Sequence, residues 1–219
     1  MPYRALRLAV VMLAATATSV AAQSADATLD RAVAAWAKIR TARATFEQML
    51  TNSLTGSTAN ARGEFQQQRP NKLSVRFTDP AGDRIVSDGA SVWVYLPSSA
   101  PGQVIKRRAT DATAMPIDVT GEFLQNPRAK YDVRPGGTGA VEGHAATALV
   151  LIPKAGREAP FTRATLWVDD DDALVRQFEV VEPSGITRRI RITSLDINVP
   201  VDRGAFTFTP PSGVRVVER

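Results

Sequence analysis

The chain reads as a mainly β protein of the α+β kind, a curved antiparallel sheet of about 11–12 strands with one N-terminal helix and a few short helical pieces. Three features of its 219 residues lead there. Hydrophobic residues recur at helical spacing near the start, and from about residue 41 onward the period becomes that of a strand. About a dozen short alternating segments then follow, bounded by turn-forming residues. A sheet that wide must curl, and with only 6% aromatic residues to fill the curl, its interior is expected to keep a hollow.

The first 22 residues have the three-part plan of a secretory signal peptide: Arg4 and Arg7, an apolar run over 8–15, and small residues ending in Val20-Ala21-Ala22. Cleavage after Ala22 leaves residues 23–219 as a single exported domain. The apolar run is far shorter than the roughly 20 residues needed to span a bilayer, and no comparable run follows, so the mature domain is expected to be soluble. Taking Arg4 and Arg7 from the 27 basic residues leaves a net charge of about +3 against 22 acidic ones, too small an excess to favour nucleic acid. There is no cysteine. Stability is therefore expected from packing alone, and the chain lacks the cysteine that a bacterial lipoprotein carries at its cleavage site.

Over 27–41, Leu29, Val33, Trp36 and Ile39 fall on one face of a helix, with Asp26 or Thr28 available as cap. Strands are predicted at 43–51, 61–68, 72–77, 84–87, 92–96, 104–107, 130–134, 147–152, 162–168, 174–181, 186–193 and 206–208. Gly136-Gly137-Thr138-Gly139, Pro183-Ser184-Gly185 and the acidic run 169–172 read as turns. Between 111 and 126, Pro116 with Ile117, Phe123 and Leu124 predicts one or two short helices, the only available cover for the sheet besides the first.

Residues 69–97 carry the strongest signal. Arg69-Pro70-Asn71 precedes a strand in which Leu73, Val75 and Phe77 alternate with Lys72, Ser74, Arg76 and Thr78. Val86-Ser87-Asp88-Gly89 and Val92-Trp93-Val94-Tyr95-Leu96-Pro97 follow, with Asp88-Gly89 supplying a tight turn. This order, together with Phe206-Thr207-Phe208-Thr209-Pro210-Pro211-Ser212-Gly213-Val214, resembles the periplasmic outer-membrane lipoprotein carriers, the LolA-like family. The likeness is collinear from Leu29 to Val214 and weaker between Ala109 and Gly143.

The resemblance implies an incomplete antiparallel barrel with a helical lid over an apolar cavity, in a periplasmic carrier of Gram-negative type that catalyses nothing and needs no cofactor or metal. It implies that Arg69 bonds backbone carbonyls of the lid and holds the empty cavity shut. Acyl chains would line up against Leu73, Val75 and Phe77, with Phe46, Trp93, Tyr95 and Trp36 as further lining, beneath a lid of Met115, Pro116, Ile117, Phe123 and Leu124. Leu73 and Val75 replace larger residues commoner in the family, and Ile117-Asp118-Val119 lacks its apolar run. The implied cargo is the acyl groups of lipoproteins, loaded by an inner-membrane lipoprotein-releasing ABC transporter and passed to an outer-membrane lipoprotein acceptor, by a carrier acting as a monomer. A carrier of another lipid or acylated molecule, and a lipid-sensing regulatory protein of the periplasm, are the alternatives.

Catalytic readings find little. The one histidine, His144, lies in the turn-like 141–145, where a solvated residue is expected rather than a base. No G-x-S-x-G, P-loop or H-E-x-x-H is present, and Glu142 stands where a dinucleotide motif needs its third glycine. The acidic run 169–172 lacks calcium-loop spacing and reads as a solvated hairpin tip. Arg188, Arg189 and Arg191 read as an exposed face or blunted edge beside the apolar stripe of Ile186, Ile190 and Ile192.

Overall fold

The computed structural model describes residues 25–110 and 118–218. The leader expected at 1–22, and Met115, Pro116 and Ile117 of the expected lid, lie outside them. Helix α1 covers residues 25–37 and buries Ala25, Leu29 and Ala32, with Val33 and Trp36 packed alongside. Asp26 and Thr28 sit inside this helix and not at its cap, because the helix is already formed at Ala25. Arg128 bridges Asp26 (3.0 Å) and Asp30 (2.6 Å) on its outer side.

The strands are β1 (Thr41–Asn52), β2 (Thr58–Gln68), β3 (Lys72–Asp79), β4 (Ala81–Ser87), β5 (Ser91–Tyr95), β6 (Gln103–Arg108), β7 (Tyr131–Val141), β8 (His144–Pro153), β9 (Arg163–Asp169), β10 (Val175–Val181), β11 (Ile186–Ile197) and β12 (Arg215–Glu218). Helices α2 (Val119–Leu124) and α3 (Pro127–Lys130) lie between β6 and β7. Among the described residues these strands join one 12-stranded sheet in the order β12-β6-β5-β4-β3-β2-β1-β11-β10-β9-β8-β7. The pairing is antiparallel except between β12 and β6. The outermost strands, β12 and β7, do not pair with each other, so the sheet curls without closing. Register shifts at Thr45/Phe46, Arg62/Gly63 and Arg76/Thr78 bend the central strands where β1, β2 and β3 meet.

Two expected elements differ. The segment 206–208 is not a strand: a 3-10 turn covers Arg203–Phe206, and the last strand is β12. Pro210 and Pro211 have no N–H to give a ladder, and Phe206 and Phe208 instead press against a sheet face. The run 136–139 is not a turn but the middle of β7. As an edge strand β7 bonds on one side only, so Pro135 is tolerated there. A Cβ on Gly136 would stand 2.9 Å from the Ala148 Cβ, and one on Gly139 3.0 Å from the Trp167 ring, so close packing explains both glycines.

The main core joins helix to sheet. Leu29, Ala32, Phe123 and Leu124 pack on Tyr131, Leu149, Leu151, Leu166, Val168 and Phe178 from β7–β10. Phe123 stacks near Phe161 and Phe178 at 5.6 and 6.1 Å. A second, smaller cluster of Ala44, Phe46 and Ile192 continues on β1 and β11 with Phe65, Val75 and Phe77, and Ile190 touches both clusters.

Candidate functional site

Cross-strand register decides which side chains share a face. One row runs Val94, Ile85, Val75, Phe65, Ala44, Leu195 across β5, β4, β3, β2, β1 and β11. A second runs Val92, Ser87, Leu73, Gln67, Ala42, Ile197, and a third Phe77, Gly63, Phe46, Ile192. Phe178 pairs with Ile190 and Ile190 with Gln48, so this is the same face that α1 and α2 cover over β7–β10. Among the described residues, no helical side chain joins the apolar cluster on the other half. There, Phe65, Val75, Phe77, Ile85 and Val94 are only half-buried, an apolar floor beside a helical cover.

Leu73, Val75, Phe77 and Phe46 are therefore brought together on the concave face. Phe46 and Phe77 meet edge to face at 5.7 Å and fill its centre. The expected hollow is accordingly a shallow trough, partly plugged by its own rings. Two small hollows lie away from its centre: one around Arg43, Thr45, Glu64 and Asp196 on the opposite face, the other around Leu50, Ala59 and Ile186 at the β1–β2 hairpin end of the same face.

Trp93 and Tyr95 are not part of this surface. Trp93 pairs with Val86 and Tyr95 with Arg84, one residue out of step with Val94 and Ile85, so both point to the opposite face. There they pack against Phe208 at 5.7 and 5.9 Å. Arg188 also departs from expectation. It shares parity with Ile186, Ile190 and Ile192 and faces the concave side, where it reaches Gln48 (3.1 Å) and Glu182 (3.4 Å). Arg189 and Arg191 take the opposite face, paired with Glu179 and Glu47.

At the end of the trough, the Arg-Pro-Asn and Val-Ser-Asp-Gly motifs lock together. Asn71 Nδ2 donates to Gly89 O (2.9 Å) and Ser87 Oγ to Asn71 O (2.8 Å). Asp88 Oδ1 accepts from the N–H groups of Ala90 and Ser91, and Gly89 supplies the positive φ of +104°. Burial opposes ionisation of Asp88, but those two N–H bonds outweigh it and hold the carboxyl below its usual range.

This rigid corner presents Arg69. Its Nη1 donates to Trp36 O (2.9 Å) in the last turn of α1 and to Ile39 O (3.1 Å) just beyond it. Its guanidinium lies 4.0 Å over the Trp36 ring. Its Nε pairs with Asp118 at 3.2 Å, the residue that caps α2. Trp36 thus serves as the platform under Arg69, and Phe123 and Leu124, expected in the lid, are buried on α2. Sequence reasoning missed Asp118, which no spacing ties to Arg69, and also Phe65, Ile85 and Val94, which the alternation of β2, β4 and β5 could have supplied. His144 Nδ1 stands 2.8 Å from Asp169, which is itself held by Arg176 at 2.9 Å.

The fold is an open, curled antiparallel sheet whose apolar concave face is partly covered by helices, with Arg69 bonded to that cover. Residues 37–209 match the family described as outer membrane lipoprotein carrier protein LolA, and the chain belongs to that family. It is 28% identical over 180 residues to the outer-membrane lipoprotein carrier protein of Klebsiella pneumoniae subsp. pneumoniae, covering 82% of each. Against that of Proteus mirabilis the identity is 26% with the same coverage. In fold it is similar to an uncharacterized conserved protein from Thermus thermophilus (TM-score 0.55, 16% identity, 90% of this chain and 99% of that one). It is also similar to a chain of the Pseudomonas aeruginosa MucA/MucB complex (TM-score 0.52, 18% identity, 89% of this chain and 63% of that one).

Proposed function

We propose that the protein is a periplasmic carrier that takes the acyl chains of lipoproteins from the inner membrane and delivers them to an acceptor at the outer membrane. The observation that carries this reading is the half-covered apolar floor of Phe65, Val75, Phe77, Ile85 and Val94 beside a helical cover tied down by one arginine. Moving an acyl chain from membrane to water costs about 0.8 kcal/mol per CH₂, so acylated cargo needs a protein surface to cross an aqueous compartment. In this reading the arrangement with α1 and α2 tied to Arg69 is the closed one. Loading displaces α1 and α2 from the rim, and the acyl chains take over the contacts of Phe46 and Phe77. The two Arg69 bonds to carbonyls in and just after α1, about 1 kcal/mol each, favour closure and help expel cargo once a better binder is present.

The test uses membrane vesicles holding a triacylated lipoprotein and its releasing transporter, with lipoprotein in the supernatant as the readout. Leu73→Glu places a charge in the trough and is expected to abolish capture while leaving the far-ultraviolet circular dichroism unchanged. Arg69→Leu is expected to capture cargo but to release it poorly to an acceptor. Capture by folded Leu73→Glu at the wild-type level would overturn the assignment of the trough.

A further inference from the structure

We propose that Asp118 is the second half of the latch: its carboxylate, held between Arg69 and Trp36, couples helix α2 to helix α1 and makes closure of the trough depend on charge. This rests on the carrier reading for its purpose, though not for its geometry.

An aspartate is a costly residue in this place. It stands where the lid was expected to be apolar, beside Val119, and its side chain is only 17% exposed. Three donors from three elements offset that cost. Gly121 N, in α2 itself, reaches Oδ1 at 2.7 Å; Trp36 Nε1, in α1, reaches Oδ2 at 3.1 Å; and Arg69 Nε, from the corner between β2 and β3, reaches Oδ2 at 3.2 Å. Arg69 makes its other contacts with α1, through the carbonyls of Trp36 and Ile39 and the Trp36 ring. The guanidinium therefore ties α1 down through neutral acceptors and α2 through a charged one. Breaking the Arg69–Asp118 pair leaves α2 held at this corner by the Trp36 Nε1 bond alone, while Glu122 stays bonded to Lys130 and Tyr131. Such an arrangement lets α2 pivot at its Asp118 end, beside the corner that carries Arg69.

The cap and the ion pair use different carboxylate oxygens, so they can be separated. Asn caps a helix about as well as Asp, so Asp118→Asn keeps the bond to Gly121 and replaces the Oδ2 shared by Arg69 and Trp36 with an amide nitrogen, removing the charge and that acceptor together; Asp118→Ser, also a capping residue, is the second variant should the first misfold. Amide hydrogen exchange on the empty protein is the readout. Both variants are expected to exchange roughly five- to tenfold faster over Val119–Leu124 and the last turn of α1, the size of a charge-assisted bond partly open to solvent. The double variant with Arg69→Leu should exchange no faster than Arg69→Leu alone. High salt should speed wild-type exchange in α2 and leave Asp118→Asn unmoved. Exchange at the wild-type rate in both variants, or effects that simply add to those of Arg69→Leu, would overturn the proposal. The vesicle assay keeps the two ideas apart: coupled exchange in a protein that removes no lipoprotein from vesicles defeats the carrier reading and leaves the latch standing, whereas full carriage with unaltered exchange does the reverse.

Discussion

Gly63 sets the level of the trough floor. A Cβ there would stand 2.6 Å from the Arg76 carbonyl oxygen and 2.8 Å from the Phe46 ring, so only glycine lets β2 approach β3 while Phe46 lies across it. Gly63→Ala is expected to cost about 1–3 kcal/mol, read from the urea midpoint, because both obstacles are packed in place. An unchanged midpoint would mean that β2 and β3 separate freely. At this scale the sequence was readable where parity could be counted: Leu73, Val75 and Phe77 alternate with polar residues and do share the floor. Trp93 and Tyr95, expected in the lining, alternate with Val92 and Val94 and so fall on the other face, where Phe208 covers them.

Among the elements, the turn between β9 and β10 is the one whose chemistry departs most from its appearance. Four successive acidic residues look like a solvated tip, yet Asp169 is 1% exposed. Burial works against its charge, but the Asp171 N–H and the Arg176 guanidinium outweigh burial and hold the carboxyl below its usual range. Asp169 thus binds a proton less readily in the folded than in the unfolded chain. Its contribution to stability is complete above the unfolded value of about 3.9 and is lost as pH falls through the lower folded value. Urea unfolding followed from neutral into acid should show that decline, and Asp169→Asn should flatten it and lower neutral stability by about 3 kcal/mol, since Arg176 loses its buried partner. An equally steep acid decline in the variant would assign the effect to other carboxylates. The sequence located the turn; the buried pair arises only because β10 returns Arg176 beside it.

Across the whole molecule, cover is unequal. Over β7–β10, α1 and α2 leave Leu149, Leu151 and Leu166 fully buried, whereas the face of β2–β5 keeps Phe65, Ile85 and Val94 half open. Amide exchange in the empty protein is therefore expected to be slowest in β8 and β9 and faster in β4 and β5. A triacylated lipopeptide should raise protection in β3–β5 and lower it in α1 and α2, as the cover gives way to cargo. Protection confined to β7–β10 would place the lipid elsewhere.

The sequence by itself determined the class of fold and the corner that carries Arg69, because alternation, turn chemistry and the Arg-Pro-Asn and Ser-Asp-Gly motifs are local properties of a short stretch of chain. Only the tertiary structure decided that Phe46 and Phe77 plug the trough, that Arg188 turns to the concave side, and that Asp118 meets Arg69 across 49 residues of sequence. Those outcomes depend on sheet register and on where the helices settle, which are set by contacts between segments far apart in the chain and leave no periodic mark within any one of them.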